Sequence, residues 1–468
     1  MPAGRLSVLV LAAGKGTRMR SRTIKLLHAV AGRPMVAWVL DAANALKPAR
    51  TITVVGYQAD RVKAALADSG TTFVLQEEQR GTGHAVLRAS RAIGSRPGTL
   101  LILNGDLPSL RSATLRKLVS AHRRSRAALT VLTAEPADAT GYGRIIRNGK
   151  GRVQRIVEHR DATREQRHVR EINTGVFVAD PSKLLRVLRR LKPDNDQGEY
   201  YITDAVHELL AKGERVGALC HADAAEVLGV NTRQELSSAT RMLFKRQAEN
   251  LQDRGVTLLD ATRTWIDPRA KVGRDTVIYP DVIVEGPCSI GTDCVIRPGC
   301  RIVDSQIGAG TEIKDHSVVL ESRVARNAAV GPFAHLRPGS ILEDDTKVGN
   351  FVEIKKTRLG RGSKASHLTY LGDATIAEGC NIGAGTITCN YDGTNKFATV
   401  LAKNAFIGSN TQLVAPVKVG RGAYVAAGST VTRDVPEGAL AIGRSKQRNI
   451  EGWVAKQSDK RKNKREKK

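Results

Sequence analysis

Aliphatic residues recur every six positions through the second half of the chain. The series runs Ile278, Val284, Ile290, Ile296 and Ile302, slips by one to Ile307, Ile313 and Val319, and slips again to Val324, Val330, Leu336, Leu342, Val348 and Ile354. It returns as Ile407, Leu413, Val419, Val425 and Val431. A period of six matches neither the 3.6 of a helix nor the 2 of an ordinary strand. It predicts a solenoid of short flat strands, three hexads to a coil, with each aliphatic side chain pointing into a triangular core. Glycine often follows the ladder residue, as in Ile290-Gly291, Val348-Gly349 and Ile407-Gly408, where a coil must turn a corner. A β-sandwich with accidental spacing does not account for so many positions in register.

From Ile354 to Ile376, and from Ile382 to Ile407, the spacing is not a multiple of six. Local rules that fail inside a regular fold tend to mark function. These stretches hold Lys355, Lys356, His367, Tyr370, Asn381, Asn390 and Tyr391. His367 reads equally as a general base or as a hydrogen-bonded surface histidine. Arg337 and Lys355 read as a phosphate site or as exposed corner charges.

The first half alternates strand and helix patterns. Ser7–Ala12 reads as a buried parallel strand running into the glycine-rich turn Ala13-Gly14-Lys15-Gly16 and a following helix. Such a turn is a phosphate cradle or simply a tight turn. Arg18 and Lys25 behind it suit a polyphosphate. Strands are predicted at 51–55, 72–75 and 99–103, with a helix over 60–67. The third strand ends in Asn104-Gly105-Asp106, where Asp106 suits a divalent cation or a turn. Strands over 153–158 and near 228–231, a loop-to-strand passage at 172–176 and a linker helix over 233–252 complete the pattern. Glu158 reads as a site carboxylate or an edge charge, and Asn173 as a site amide or a turn residue.

The chain has 468 residues, which predicts two or three domains, and a net charge of +28 concentrated partly in a basic tail from Lys456. That tail reads as disordered and solvated, either as a solubilising extension or as a binder of anionic polymers. Aromatics are 4% and no basic stretch interleaves with them, which argues against a nucleic-acid binder. The six cysteines form no C-x-x-C pair, and Cys288, Cys294 and Cys300 fall at hexad spacing, so small core residues are expected rather than a metal site. No apolar run approaches the length of a membrane span, so no membrane insertion and a cytoplasmic location are expected.

These motifs carry a resemblance. LAAGKGTRM (Leu11 to Met19) with Lys25, LQEEQRGTGHA (Leu75 to Ala85), LNGDLP, GYGRI, IVEH, INTG and GVN resemble, in order, the sugar-phosphate nucleotidyltransferases. RPG (Arg337 to Gly339), VGNFVEIKK (Val348 to Lys356), GSKASHLTYLGDA (Gly362 to Ala374), NIGAGTITCNYDG (Asn381 to Gly393) and FIGSNTQLVAPV (Phe406 to Val417) follow. Together they resemble the bacterial bifunctional N-acetylglucosamine-1-phosphate uridyltransferase / glucosamine-1-phosphate acetyltransferase family over nearly the whole chain. The resemblance implies an α/β architecture. Its parts are a Rossmann-like nucleotidyltransferase domain (1–231), a linker helix (232–254), a left-handed parallel β-helix (255–455) and the basic tail (456–468). It further implies a homotrimer, since related solenoid acyltransferases place their sites between subunits.

By motif match the resemblance implies that Leu11, Ala12, Ala13, Gly14, Arg18, Lys25, Gln76, Gly81 and Thr82 bind UTP. Gly141, Glu158 and Asn173 would bind the sugar, and Asp106 and Asn231 would hold Mg²⁺. In the second half His367 is the implied base, oriented by Glu353 or Asn390. Arg337, Lys355, Tyr370, Asn381 and Lys396 are implied to bind glucosamine-1-phosphate, and Ala384, Asn390, Tyr391, Ser409, Ala427 and Arg444 to bind acetyl-CoA. Cys389 is a bystander, because direct attack needs no acyl-enzyme. Two departures neighbour the nucleotide site: Asn104 stands where the family has an aromatic residue, and Ile24 where it has proline. Two rivals stand beside this reading. One is a nucleotidyltransferase whose solenoid only oligomerises, and the other is a nucleic-acid binder suggested by charge alone.

Overall fold

The structure, a computed structural model, describes residues 5–94, 98–191 and 198–458. It divides into two compact units, Met1–Arg246 and Gln247–Lys468, with the division inside the helix Arg233–Gln252.

The first unit is a mixed sheet of nine strands: β1 (Arg5–Ala12), β2 (Arg50–Val55), β3 (Thr72–Leu75), β4 (Gly98–Asn104), β5 (Leu129–Ala134), β6 (Arg144–Arg147), β7 (Val153–Val157), β8 (Ile172–Ala179) and β9 (Val216–His221). The order is β9-β5-β8-β4-β1-β2-β3, with the β6–β7 hairpin attached through β8. β1, β2, β3 and β4 run parallel, β8 runs antiparallel to β4 and β5, and β9 is parallel to β5. Val8, Val10, Leu101 and Leu103 face one apolar layer, and Leu9, Leu100 and Ile102 the other. This two-sided burial is what continuous apolar strand runs signal.

Three sequence expectations fail here. No α-helix follows the glycine-rich turn; a three-residue 3₁₀ turn, Thr17–Met19, does. The 228–231 segment is not a strand. The Val230 N–H donates instead to the Asp106 carbonyl at 2.9 Å, and buried Val227 and Val230 tie the segment to the core. The 172–176 passage lies wholly within β8.

The second unit is a left-handed parallel β-helix. Every residue of the hexad ladder is buried. Parallel pairing joins Ile278 to Ile296, Ile296 to Ile313, Ile313 to Val330 and Val330 to Val348, so a coil takes 18 residues, or 17 across a one-residue slip. Buried hydroxyls and thiols add a second ladder between coils. Ser305 Oγ accepts from the Ser322 N–H at 3.1 Å, and Cys294 Sγ donates to the Gly308 carbonyl at 3.2 Å. Cys288, Cys294 and Cys300 are therefore core residues, and burial pushes the Cys300 thiol up to about 11. The solenoid extends one strand past Val431, since Leu440–Ala441 pairs with Tyr424–Val425.

The first expected break is not one. The ladder continues from Ile354 through Leu359, Ala365, Leu371 and Ile376, all buried at 1% exposure or less. Two one-residue slips and an alanine in place of a large aliphatic hide it. The long interruption falls between Thr388 and Leu401, where the segment after Cys389 leaves the coil and returns through the Tyr391–Lys396 bridge. Of the basic tail, 456–458 end an exposed helical turn, and 459–468 lie outside the described residues.

If Leu371 is core rather than part of a break, Leu371→Ala should lower the stability of the solenoid unit by about 2–5 kcal/mol. Denaturant unfolding measures this. A loss below about 0.5 kcal/mol, typical of surface changes, would contradict the packing.

Candidate active sites in the two units

β1 and β4 are parallel neighbours, so Leu11-Ala12-Ala13-Gly14 and Asn104-Gly105-Asp106 leave the sheet side by side. The Gly105 N–H donates to the Leu11 carbonyl at 2.9 Å. Lys25 Nζ donates to Asp106 Oδ2 at 2.5 Å and to Asn231 Oδ1 at 3.0 Å, and Arg18 Nη2 donates to Asn231 Oδ1 at 2.8 Å. Residues separated by up to 213 positions thus meet in one cluster. The Lys25 and Asp106 side chains keep only 14% and 16% exposure, so their attraction is less screened than that of a surface pair.

Asn231 is held by a capping box. Its N–H and that of Thr232 donate to Glu235 Oε2 at 2.6 and 2.8 Å, and the Glu235 N–H returns to Thr232 Oγ1 at 3.2 Å. Sequence reading missed this role of Glu235, although Thr232-Arg233-Gln234-Glu235 has the capping spacing. Among the described residues no group of three or more His, Cys, Asp or Glu suits a metal. The Asp106–Asn231 pair nevertheless offers two hard oxygens that already converge on one cationic group. That arrangement fits a divalent cation whose remaining ligands come from phosphate and water.

Gln76 is buried; its Nε2 donates to the Gly81 carbonyl at 3.2 Å and lies 3.1 Å from His84 Nδ1. Gly81 has φ +94°, and a Cβ there would sit 2.6 Å from the Tyr200 carbonyl oxygen, so only glycine fits. Thr82 Oγ1 accepts from the Ile202 N–H at 3.2 Å.

Glu158 follows β7 directly, and Thr203 Oγ1 donates to its Oε1 at 3.0 Å. Burial pushes the Glu158 carboxyl above its usual range; the Thr203 bond opposes this, and nearby Asp161 and Asp204 add to it. A Cβ on Gly143 would lie 3.2 Å from Glu158 Oε2. The Gly143 carbonyl accepts from the Asn173 N–H at 2.8 Å, so Glu158, Gly143 and Asn173 are adjacent. Gly141 opens the same turn at φ +83°. Burial pushes the next residue, Tyr142, up to about 12, and the Glu235 and Asp106 charges add to this. Of the two departures, Ile24 is buried, and Asn104 lies against Gly175, its Nδ2 2.1 Å from where a Cβ would be.

In the solenoid the coil repeat builds the site. Asn350, His367, Ala384, Ser409 and Ala427 each stand two residues past a paired ladder position, namely Val348, Ala365, Ile382, Ile407 and Val425. They form one column up one corner. His367 Nδ1 lies 2.8 Å from Asn350 Oδ1. An amide oxygen accepts, so Nδ1 carries the proton and Nε2 of this exposed ring holds the lone pair. Arg444 Nη1 donates to the Ala427 carbonyl at 2.7 Å at the far end of the column.

Neither expected orienter touches His367. Glu353 accepts from Arg337 Nη1 at 2.8 Å, because it is in register with Tyr370, three positions beyond the Asn350–His367 pair. The Asn390 amide binds Asp373 Oδ2. Asn350 was missed because its link to His367 is one coil of 17 residues, not a hexad.

Arg337 and Lys355 follow Leu336 and Ile354, which pair directly, so the two cations are neighbours one coil apart. Lys355 Nζ lies 3.4 Å from Asp373 Oδ2. Lys396 raises the Lys355 ammonium pKa by hydrogen bonding, and Asp373 adds to this. Lys396 is itself lowered, first by Lys355. Tyr391 is exposed and its hydroxyl donates to the Gly393 carbonyl at 2.5 Å. Asn381 belongs to a different strand column from Tyr370, between Lys364 and Phe406.

Known families match both units. Residues 8–211 match the MobA-like NTP transferase domain, 261–360 the GMPPB C-terminal domain, and 398–433 the bacterial transferase hexapeptide of six repeats. Fold and matches together define a two-unit transferase, a nucleotidyltransferase followed by a hexapeptide-repeat solenoid. The chain is 48% identical over 451 residues to the bifunctional protein GlmU of Halalkalibacterium halodurans, covering 96% of this chain and 99% of that protein. It is 49% identical over 449 residues to that of Pelobacter propionicus, with 96% and 98% covered, and 48% identical over 454 residues to that of Trichlorobacter lovleyi, with 97% and 99% covered. The chain belongs to the bifunctional GlmU family.

Removing the Thr203 hydroxyl removes the contact that holds the Glu158 carboxylate ionised against burial. Thr203→Val should therefore move the Glu158 titration to higher pH, as read by NMR of the labelled carboxylate. No movement, or a downward one, would show that Thr203 does not tune this group.

Proposed function

We propose that the solenoid transfers an acetyl group from acetyl-CoA to the amine of glucosamine-1-phosphate. The sheet unit then joins N-acetylglucosamine-1-phosphate to UTP, releasing UDP-N-acetylglucosamine and pyrophosphate. The observation that carries this reading is that Arg18, Lys25, Asp106 and Asn231 meet in the sheet unit, while His367 shares one column with Ala384, Ser409 and Ala427 in the solenoid. We assign uridylyl transfer to 1–231 and acetyl transfer to 255–455, with 232–254 as the linker.

In acetyl transfer the substrate amine attacks the thioester carbonyl while His367 Nε2 takes its proton. The tetrahedral intermediate then collapses, the C–S bond breaks, and the coenzyme A thiolate leaves and recovers a proton. Asn350 keeps the imidazole in the tautomer with Nε2 free. Arg337 and Lys355 bind the sugar phosphate, with Tyr370, Asn381 and Lys396 lining the sugar. The column Ala384, Ser409 and Ala427, with Arg444 at its end, offers a surface of small residues to acetyl-CoA, and Asn390 and Tyr391 are assigned to the same ligand.

In uridylyl transfer a phosphate oxygen of the sugar phosphate attacks the α-phosphorus of UTP, and the bond to the bridging oxygen of the leaving pyrophosphate breaks. The protein's task is alignment and charge neutralisation. Arg18 and Lys25 neutralise the phosphates. Leu11 to Gly14 bring backbone to the nucleotide, and Gln76, Gly81 and Thr82 read its uracil and ribose. Gly141, Glu158 and Asn173 hold the sugar. Asp106 and Asn231 would hold Mg²⁺, which when bound supplies neutralisation of the phosphate oxygens.

The assembly we propose is a trimer in the cytoplasm. No helix among the described residues is long and apolar enough to cross a membrane. One solenoid corner carries a ridge of stacked rings, His316 on Phe333 at 5.3 Å and Phe333 on Phe351 at 5.4 Å, continued by Leu368. Phe333, Phe351 and Leu368 are 48, 57 and 62% exposed, and a contiguous apolar ridge of this kind suits contact with further copies.

His367→Ala should lower acetyl transfer about 10²- to 10⁴-fold while leaving uridylyl transfer intact, and Asp106→Ala should do the reverse. Separate assays of thiol release and pyrophosphate release decide this. Full acetyl transfer by His367→Ala would overturn the base assignment. Phe351→Asp should convert the trimer to smaller species in light-scattering chromatography; an unchanged mass would remove the ridge from the contact.

A further inference from the structure

Asp373 belongs to neither substrate set assigned above, yet it touches both. It occupies a left-handed corner at φ 50° just after Tyr370-Leu371-Gly372. Its N–H donates to the Lys355 carbonyl at 3.0 Å, and its own carbonyl accepts from the Thr399 N–H at 3.2 Å, which pins the corner from both sides. The carboxylate accepts from Asn390 Nδ2 and stands 3.4 Å from Lys355 Nζ. The Lys355 and Asp373 side chains keep only 13% and 18% exposure. A Cβ on Gly372 would lie 2.4 Å from the Tyr370 hydroxyl and 2.8 Å from Asn390 Nδ2, so both fold over that glycine beside the carboxylate. One oxygen atom therefore links a residue of the sugar-phosphate set to a residue of the acetyl-CoA set.

The charges around it are unbalanced without it. Lys355, Lys356 and Lys396 interact here, with the Tyr370 phenol close by and the Arg337–Glu353 pair in the neighbouring columns. Of the two carboxylates, Glu353 is already engaged by Arg337, which leaves Asp373 to offset the lysines. Lysines at close range repel, and the carboxylate 3.4 Å from Lys355 Nζ favours its ionised form and orders it.

We propose that Asp373 is the positioning residue of acetyl transfer: its carboxylate fixes Lys355 and Asn390 relative to one another. This rests on the acetyl-transfer reading of the site. Asp373 touches no reacting atom; it acts through the two residues it holds.

Two substitutions in the full-length protein separate its charge from its hydrogen bond. Asp373→Asn keeps an oxygen that accepts from Asn390 and suits a positive φ, but removes the charge. Asp373→Gly removes both without straining the corner. The loss of bonds to charged groups predicts that Asp373→Gly lowers kcat/KM about ten- to a hundredfold for both glucosamine-1-phosphate and acetyl-CoA. Asp373→Asn should restore KM for acetyl-CoA to within about twofold while keeping the glucosamine-1-phosphate defect. With the negative charge gone the Lys355 ammonium releases a proton more easily, so the alkaline limb of the acetyl-transfer pH profile should move to lower pH in Asp373→Asn. Uridylyl transfer by the same preparations serves as the folding control. Both variants within twofold of the parent protein, or an unmoved alkaline limb in Asp373→Asn, would overturn the proposal. If the parent protein itself transfers no acetyl group, the site reading fails first, and with it this inference.

Discussion

The stacking of parallel coils is the constraint on which the second unit depends. Backbone hydrogen bonds between coils fix the register, and the buried aliphatic ladder prevents any slip, since a shift by one residue would turn the core outward. Once the register is set, residues one coil apart become neighbours whatever their chemistry. Asn350 meets His367, Arg337 meets Lys355, and Lys355 meets Asp373 because 17 or 18 residues of chain return to the same corner or face. The site is thus written in columns across strands rather than along any one of them. The interruption between Thr388 and Leu401 adds the remaining part by letting Asn390 and Lys396 leave the coil.

The first unit uses a different device. Parallel strands deliver their carboxyl ends to one edge, and there backbone and side chains converge on a cationic group. Lys25 is the hub. It satisfies Asp106 and Asn231, and Asn231 is in turn clamped by the capping box that opens the helix Arg233–Gln252. The Glu158–Thr203 contact is a second, half-buried cluster, where burial works against ionisation and one hydroxyl works for it.

Much of this was legible in the sequence, and the failures have physical causes. The hexad ladder predicted the solenoid because one aliphatic side chain per short face is all that a triangular core admits. It faltered at Ala365, where a small residue fills the same position, and at the slips before Leu359 and Ile376. Motif-matched residues such as Lys25, Asp106, Asn231 and His367 could be named. Their partners could not, because Asn350, Asp373, Thr203 and Glu235 act through contacts set by coil length, strand register or a helix cap. The resemblance implied Glu353 or Asn390 as the orienter of His367, but Glu353 accepts from Arg337 and Asn390 donates to Asp373. The cradle after β1 was expected to borrow a helix N-terminus, and the structure closes it with a single 3₁₀ turn backed by Lys25 and Arg18.

The central claim is that one chain carries two consecutive transfers. The measurement that tests it most directly follows the products formed by the purified full-length protein from glucosamine-1-phosphate, acetyl-CoA, UTP and Mg²⁺ as each substrate is withheld. Withholding UTP should leave N-acetylglucosamine-1-phosphate to accumulate with one free thiol per sugar. Withholding acetyl-CoA should give no UDP-N-acetylglucosamine, and the complete mixture should give UDP-N-acetylglucosamine and pyrophosphate. Absence of thiol release in every mixture, or of pyrophosphate release when N-acetylglucosamine-1-phosphate is supplied with UTP, would contradict the account.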